Sequence, residues 1–302
     1  MGHGHHHVDP DAGDRRVAIA VLVNLGLTAA QVIGGVLAGS LALIADALHN
    51  FSDAISLIIA FAARKIARRP ANEEMTFGYG RAEIVAALIN YTTLIVIGLY
   101  LAFEAVMRFT DPQPVEGWLI VIIAGIALIV DAVTAALTFA MSKDSANIRA
   151  AFLHNVADAL GSIAVILAGT LVLLFGWNIV DPLVTLMISG YILWQALSEI
   201  GGVIRILMLA SPPEVDVREI VSAMTAVDGV DSVHHVHVWQ MQEHTAAVEA
   251  HIVITPEKWE ASSTIKADIK TRLADAFGIS HTTLELECAP DACDDAQLIG
   301  HS

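Results

Sequence analysis

Apolar residues in this chain come in long blocks rather than in alternating short runs. Six of the blocks approach the roughly 20 residues a helix needs to cross the hydrocarbon of a bilayer. They run from Val17 to Ala38, Leu41 to Ala63, Ile84 to Phe109, Trp118 to Met141, Ala150 to Phe175 and Ile179 to Leu197. Backbone polar groups inside lipid must be satisfied within the segment, so the blocks predict a bundle of six transmembrane helices. After "LMLASPPE" the pattern shortens, and Pro212 with Pro213 marks a boundary. Glu214 to Val227 reads as an amphipathic helix, Ser232 to Gln240 and Ala246 to Ile254 as strands, Glu257 to Phe277 as a second helix and Thr282 to Glu287 as a third strand. That order, αββαβ, predicts a compact α+β domain with its helices on one face of a small sheet. The expected division is a His-rich tail at 1–16, a membrane domain at 17–209 and a C-terminal domain at 210–302.

Charge fixes the orientation. Arg15 and Arg16 precede the first block, and Arg64, Lys65, Arg68, Arg69 and Arg81 follow the second. Lys143 and Arg149 lie between the fourth and fifth, whereas the opposite face has little beyond Arg108. Basic loops stay inside, so both termini are predicted to be cytoplasmic; in a bacterium the membrane would be the inner one. No cleavable signal peptide is expected, because the N-terminus is polar through Arg16 and then enters a full-length apolar segment.

Composition agrees with a membrane protein: 55% of the 302 residues are hydrophobic and 16% charged, and mean hydropathy is +0.63. The net charge of −16 is concentrated beyond the blocks, where residues from Ala210 onward include 16 Asp and Glu against 5 Lys and Arg. Such a region attracts cations and excludes nucleic acid as a partner, since that affinity rests on neutralising phosphates. The two cysteines, Cys288 and Cys293, provide no disulfide framework.

Two blocks carry residues that lipid disfavours. "IADALHNFSDAI" holds Asp46, His49 and Asp53, and "AFLHNVADALGSI" holds His154 and Asp158. Residues four apart share a helix face, so His49 points with Asp53 and His154 with Asp158. Ionisable groups at this depth cost a few kcal/mol each and mark pathways or sites. Two imidazoles and two carboxylates form a four-ligand set suited to tetrahedral Zn²⁺, and two ionised Asp cancel the charge of the ion. Protons and Zn²⁺ compete for the same lone pairs, so metal binding and deprotonation are one coupled event. Imidazole also suits Co²⁺, and an oxygen-richer site would suit Mn²⁺ better; zinc is the first choice, with Co²⁺ or Cd²⁺ as additional cargo.

With these residues in view, the chain resembles the cation diffusion facilitator family, particularly its zinc-transporting branch. The resemblance spans nearly the whole sequence through "GSLALIADALHNFSDA", "FGYGRAEIVAAL", "HNVADALGS", "DPLVTLMISGYILW" and "VHHVHVW". It implies that His49, Asp53, His154 and Asp158 form a transport site and that the protein is a homodimer. It also implies metallochaperone-like cytoplasmic domains, and outgoing metal exchanged for incoming protons. In the C-terminal domain it places metal-binding histidines at His234 and His251. A further ligand would come from the last strand, where His281, Glu285, Glu287 and Cys288 compete and Glu287 is taken. That cytoplasmic Zn²⁺ would be a regulatory ligand.

Other polar residues have plainer readings. Asp46 is expected to orient an imidazole or to line the pathway, and Asp131 to assist proton transfer or bond a neighbouring helix. Asn24, Gln31, Asn50, Asn90 and Asn155 suit interhelical hydrogen bonds, and Gly35 with Gly39 forms a GxxxG. Some relatives carry a further metal site in the loop "NEEMTFGYGRAE", but Asn72, Met75 and Tyr79 stand at the matching positions, so none is expected there. Strand alternation predicts His235 and His237 on one face and His234 on the other. The spacing of Cys288 and Cys293 is not a strong metal motif, and "HGHHH" reads as a metal-gathering tail or an affinity tag. Two alternatives to a transporter remain: a membrane-anchored metal sensor, and a membrane-embedded metalloenzyme. Against the enzyme, there is no HExxH, and four protein ligands leave no position for substrate water.

Overall fold

The computed structural model describes residues 10–139, 146–242, 245–293 and 297–299; the histidines of the N-terminal run, together with His244, lie outside them. The apolar blocks form α1 (Pro10–Ala38), α2 (Leu41–Ala67), α3 (Ala82–Thr110), α4 (Gly117–Phe139), α5 (Ala146–Phe175) and α6 (Val180–Leu207). Most of these helices run past the apolar blocks at their polar ends, because helical hydrogen bonding continues into sequence that lipid does not require to be apolar. Among the described residues five helices are long and apolar enough to cross a membrane, with Asn24–Ala38 of α1 a shorter apolar stretch. Their outward faces expose Leu99, Phe103, Ile129, Leu167, Leu174 and Trp194, an apolar surface suited to contact with lipid.

Two units can be distinguished. The first contains α1, α2 through Phe61 and Ile89–Glu199; the second contains Ala62–Leu88 and the chain from Ile200 onward. In the first, Leu43, Leu101, Ile120 and Ile192 fill the interior between helices. Glycine lets the backbones approach: a Cβ on Gly117 would lie 2.5 Å from the Gly169 carbonyl oxygen, joining α4 to α5. The expected Gly35/Gly39 pair does not form a packing stripe. Gly39 ends α1 in the left-handed region, at φ +67°, and the close approaches are made by Gly34 against Ile123 and by Gly35 against Ile44. The GxxxG spacing runs across a helix end, where it has no common face. Gly39→Val should therefore destabilise the bundle by roughly 1–3 kcal/mol, because the new Cβ would be strained at that φ and sit 2.7 Å from the Pro114 carbonyl oxygen. A lower unfolding temperature in detergent would register this.

The second unit is built on a three-stranded sheet. Strands β1 (Val230–Gln242), β2 (Thr245–Ile254) and β3 (His281–Cys288) lie in the order β1-β2-β3. β1 and β2 are antiparallel, β2 and β3 parallel. A parallel pair requires a crossover, which α8 (Ser262–Phe277) provides. The first turn of the expected second helix is instead a 3-10 turn, Pro256–Ala261, and α7 (Val217–Thr225) precedes β1. Asp216 caps α7 by accepting from the Arg218 N–H at 2.8 Å. Ile220, Met224, Ile252, Ile254, Ile269 and Leu273 pack the two helices against the sheet. The loop after α2 belongs to the same unit, and Arg81 donates to the carbonyls of Met241 and Gln240.

Three register shifts interrupt the pairing of β1 with β2, and one of them falls at the histidines. The β1–β2 register shifts between His234 and His237, and His235 takes φ +47°. A bulge places two residues opposite one and re-aims a side chain.

Candidate metal centres

In the helical bundle, α2 presents His49 and Asp53 one turn apart, and α5 presents His154 and Asp158 in the same way. The side chains meet across the two helices. His49 Nε2 lies 3.4 Å from Asp158 Oδ1, and His154 Nε2 lies 3.1 Å from Asp53 Oδ2. The pairs within each helix are longer, 3.8 Å for His49–Asp53 and 3.5 Å for His154–Asp158. Ligand atoms of His49, Asp53 and Asp158 all fall within 4.8 Å of one another. His154 stands a step outside that triangle, its ring centred 6.0 Å from that of His49, yet it reaches both carboxylates. All four therefore converge on one space at the α2–α5 seam, and His49 is only 7% exposed.

Neighbouring polar groups are tied elsewhere. The carboxylate of Asp46 accepts from Gln31 Nε2 at 2.6 Å, and Asn50 donates to Gln31 Oε1 at 3.3 Å, so these three join α1 to α2. The His49 Nδ1 is buried with no hydrogen-bond partner among the described residues; Asp46 thus makes no direct bond to that ring nitrogen. Asp131 accepts from Ser162 at 3.1 Å across α4 and α5, and Ser56 donates to Asn90 at 2.6 Å across α2 and α3. Sequence reasoning missed Tyr191, whose ring lies edge-on to His49 at 6.2 Å.

It also missed a network at the other end of α2. Asp181, at the start of α6 and fully buried, accepts from Ser40 Oγ at 2.5 Å, from the Leu41 N–H at 2.8 Å and from the Ala42 N–H at 3.3 Å. Arg108 Nη1 lies 3.7 Å from the same carboxylate and donates to the Gly39 carbonyl. A buried acid in "DP" and a single arginine at the end of a span should pair; that was the available signal.

A second cluster forms in the sheet unit. His234 and His251 are directly opposite on β1 and β2, and Glu287 comes from β3. His251 Nδ1 lies 2.6 Å from Glu287 Oε1, and His234 Nε2 lies 3.4 Å from Glu287 Oε2. Glu285 reaches the other ring nitrogen of His251 at 3.3 Å but is largely exposed. His281 is at the opposite end of β3, aligned with Ala247, and Cys288 is aligned with Ile254. Contrary to simple alternation, His235 lies with His234: ring centroids are 4.9 Å apart, and each is within 5.1 Å of His251. The bulge is the reason. Cys293, past β3, joins the same group, so that His234, His235, His251 and Cys293 offer ligand atoms within 4.8 Å of one another.

Burial holds the His234 imidazole below its ordinary pKa. Burial alone would push Glu287 up, but hydrogen bonds from His251 and Cys293 hold its carboxyl below the usual range. The hydrogen bond to Glu287 pushes the Cys293 thiol up. In the loop after α2, Asn72 accepts from the N–H groups of Glu74 and Met75 and donates to the Tyr79 hydroxyl. It makes a side-chain-capped turn, and none of the metal-ligand groups found among the described residues lies there.

A helical bundle with a buried His and Asp quartet, joined to a sheet domain with its own His cluster, defines a metal-handling membrane protein. Profiles of two domains match: "Cation efflux transmembrane domain" over residues 17–208 and "Cation efflux protein, cytoplasmic domain" over 212–289. The chain belongs to the cation efflux family, in its zinc-transporting branch; it is an integral membrane transporter and not an enzyme. It is 35% identical to the "Cadmium, cobalt and zinc/H(+)-K(+) antiporter" of Bacillus velezensis over 99% of this chain and 96% of that one. It is 33% identical to the "Metal cation efflux system protein CzcD" of Cupriavidus metallidurans, over 100% and 94% of the two chains. Identity is also 33% to the "Zinc transporter ZitB" of Escherichia coli, over 100% and 99%.

Proposed function

We propose that the protein exports Zn²⁺ from the cytoplasm in exchange for protons, with Co²⁺ or Cd²⁺ as further cargo, through a site formed by His49, Asp53, His154 and Asp158. The carrying observation is the set of four N···O approaches between these residues, all from 3.1 to 3.8 Å. An imidazole lone pair aimed at a carboxylate oxygen is repulsive unless a proton lies between them. Protons and Zn²⁺ therefore compete for the same nitrogen and oxygen lone pairs, and entering metal displaces protons held on them. Alternation of the site between two sides then makes each cycle an exchange of metal for protons. The relatives' names, which include zinc transport and proton antiport, support this reading.

The protein works as a homodimer in a bacterial inner membrane with both termini cytoplasmic, an orientation supported by the basic loops. Division into residues 1–16, 17–209 and 210–302 follows the charge and hydropathy boundaries. Asp46 and Asp131, tied by Gln31 and Ser162, shape the pathway around the quartet. The C-terminal domain binds regulatory Zn²⁺ at the place where His234, His251 and Glu287 meet across the three strands. Such metal biases transport only if one arrangement of the dimer binds it more tightly.

The test is uptake of radioactive zinc into proteoliposomes under an imposed pH gradient. Uptake should rise with the gradient and collapse when an ionophore dissipates it. Equal uptake with and without the gradient would overturn proton exchange.

A further inference from the structure

We propose that Cys293 supplies a thiolate to the metal site of the C-terminal domain, so that His234, His235, His251 and Cys293 together form a sulfur-containing tetrahedral site for Zn²⁺. The proposal rests on the reading that this domain binds metal and deepens it by assigning the donor set.

The main observation is His234. Its side chain is nearly inaccessible, at 3% relative exposure, and neither ring nitrogen makes a hydrogen bond among the described residues. A buried imidazole left in this way is costly unless something else satisfies it. Its Nε2 stands 3.4 Å from Glu287 Oε2, but without the geometry of a hydrogen bond. A metal ion would accept the lone pair of one of these ring nitrogens.

The other donors are brought to it by three separate devices. Cross-strand register sets His251 beside His234. The bulge turns His235 to the same side, and its strained φ of +47° is held by main-chain bonds from the His235 and Val236 N–H groups to the Gln297 and Leu298 carbonyls. The segment after β3 is thereby fastened to β1 on one side of Cys293. On the other side, the Cys293 N–H donates to Glu287 Oε2 at 3.2 Å. Sγ then lies 3.3 Å from Glu287 Oε1 and 3.9 Å from His251 Nδ1.

Edges of a tetrahedral zinc site with one sulfur and three nitrogens are about 3.3–3.6 Å long, from metal–ligand lengths of about 2.0–2.3 Å. The four donors, already within 4.8 Å of one another, need move only by a fraction of an ångström to a little over one. Glu287 has a different part. Both of its oxygens hold neighbours, His251 and the Cys293 thiol on one, the Cys293 N–H on the other. Zinc entering the site would replace the proton on Sγ, which leaves to solvent by way of Glu287 Oε1, 3.3 Å from the sulfur. Glu287 is thus a positioning residue and a proton relay for the thiol. A site with one thiolate and three imidazoles takes Zn²⁺, Co²⁺ or Cd²⁺ and discriminates against Mn²⁺ and Mg²⁺.

Cobalt makes the ligand set visible, because only a thiolate gives a sulfur-to-cobalt charge-transfer band in the near ultraviolet. The full-length protein in detergent is titrated with Co²⁺. The wild type, Cys288→Ser and Asp53→Ala should all show the band, and added Zn²⁺ should abolish it. Cys293→Ser should lose the band while keeping its circular dichroism, as the side chain is exposed. Persistence of the band in Cys293→Ser would overturn the assignment. If the wild type binds Co²⁺ with visible bands that His234→Ala removes, but shows no charge-transfer band, the thiolate is refuted and the domain's metal site stands. If His234→Ala leaves the amount of bound Co²⁺ unchanged, the underlying reading fails as well. As an independent check, iodoacetamide should modify Cys293 more slowly in the zinc-loaded protein, with the Cys288 rate unchanged; equal Cys293 rates would count against the proposal.

Discussion

Asp158→Asn is expected to lower the initial rate of gradient-driven zinc uptake by at least about 100-fold while the protein still inserts and elutes as a single species. Asparagine keeps the size of the side chain and one carbonyl oxygen, so helix packing at the seam is preserved. What disappears is a negative charge whose oxygens lie 3.4 Å from His49 Nε2 and 3.5 Å from His154 Nε2. A unit charge pair about 4 Å apart at an effective dielectric of about 20 is worth about 4 kcal/mol, which corresponds to roughly three orders of magnitude in affinity. Even allowing for rearrangement, this exceeds the 10–100-fold usual for loss of a residue that only orients a ligand. Asp53→Asn should behave alike, because Asp53 Oδ2 is the nearest oxygen to His154. Zinc binding measured calorimetrically in detergent should fall in parallel with flux. Near-normal flux in Asp158→Asn would remove the quartet from the transport site.

The quartet is legible in the sequence because helical geometry is local. Four-residue spacing fixes a shared face whatever the surroundings, and two such pairs in otherwise apolar blocks leave few uses beyond a cation. The C-terminal cluster is legible only in part. His234, His251 and Glu287 come together across β1, β2 and β3, but alternation puts His235 on the wrong face because it fails at a bulge. The positive φ of His235 depends on main-chain bonds to Gln297 and Leu298, far along the chain, and no local pattern encodes them. Cys293 obeys the same rule: the spacing from Cys288 is uninformative, and the residue gains its place from Glu287. Gly39 illustrates the converse error. A pair of glycines four apart suggests a packing stripe only if one helix contains both, and here the helix ends at Ala38.

Asp181→Ala should destabilise the membrane domain by roughly 3–5 kcal/mol, the range for breaking a buried ion pair by removing one partner. The carboxylate is more than a partner for Arg108. It receives the first two N–H groups of α2 and the Ser40 hydroxyl, while Ser40 Oγ in turn accepts from the Leu43 N–H at 3.1 Å. An acid from α6 thereby caps the helix that carries His49 and Asp53, with its charge at the positive end of the helix dipole. Its removal leaves buried N–H groups without an acceptor and the Arg108 guanidinium without its counter-charge. In a domain of this size the loss corresponds to a fall of about 6–20 °C in unfolding temperature in detergent. Asp181→Asn should fall between wild type and alanine, since an amide can still accept from the α2 N–H groups but offers Arg108 no charge. A double variant with Arg108→Met should lose less than the sum of the two single losses, because the charge left stranded by Asp181→Ala is then gone. Strict additivity would mean that Arg108 and Asp181 do not act together, and that the cap alone anchors α2.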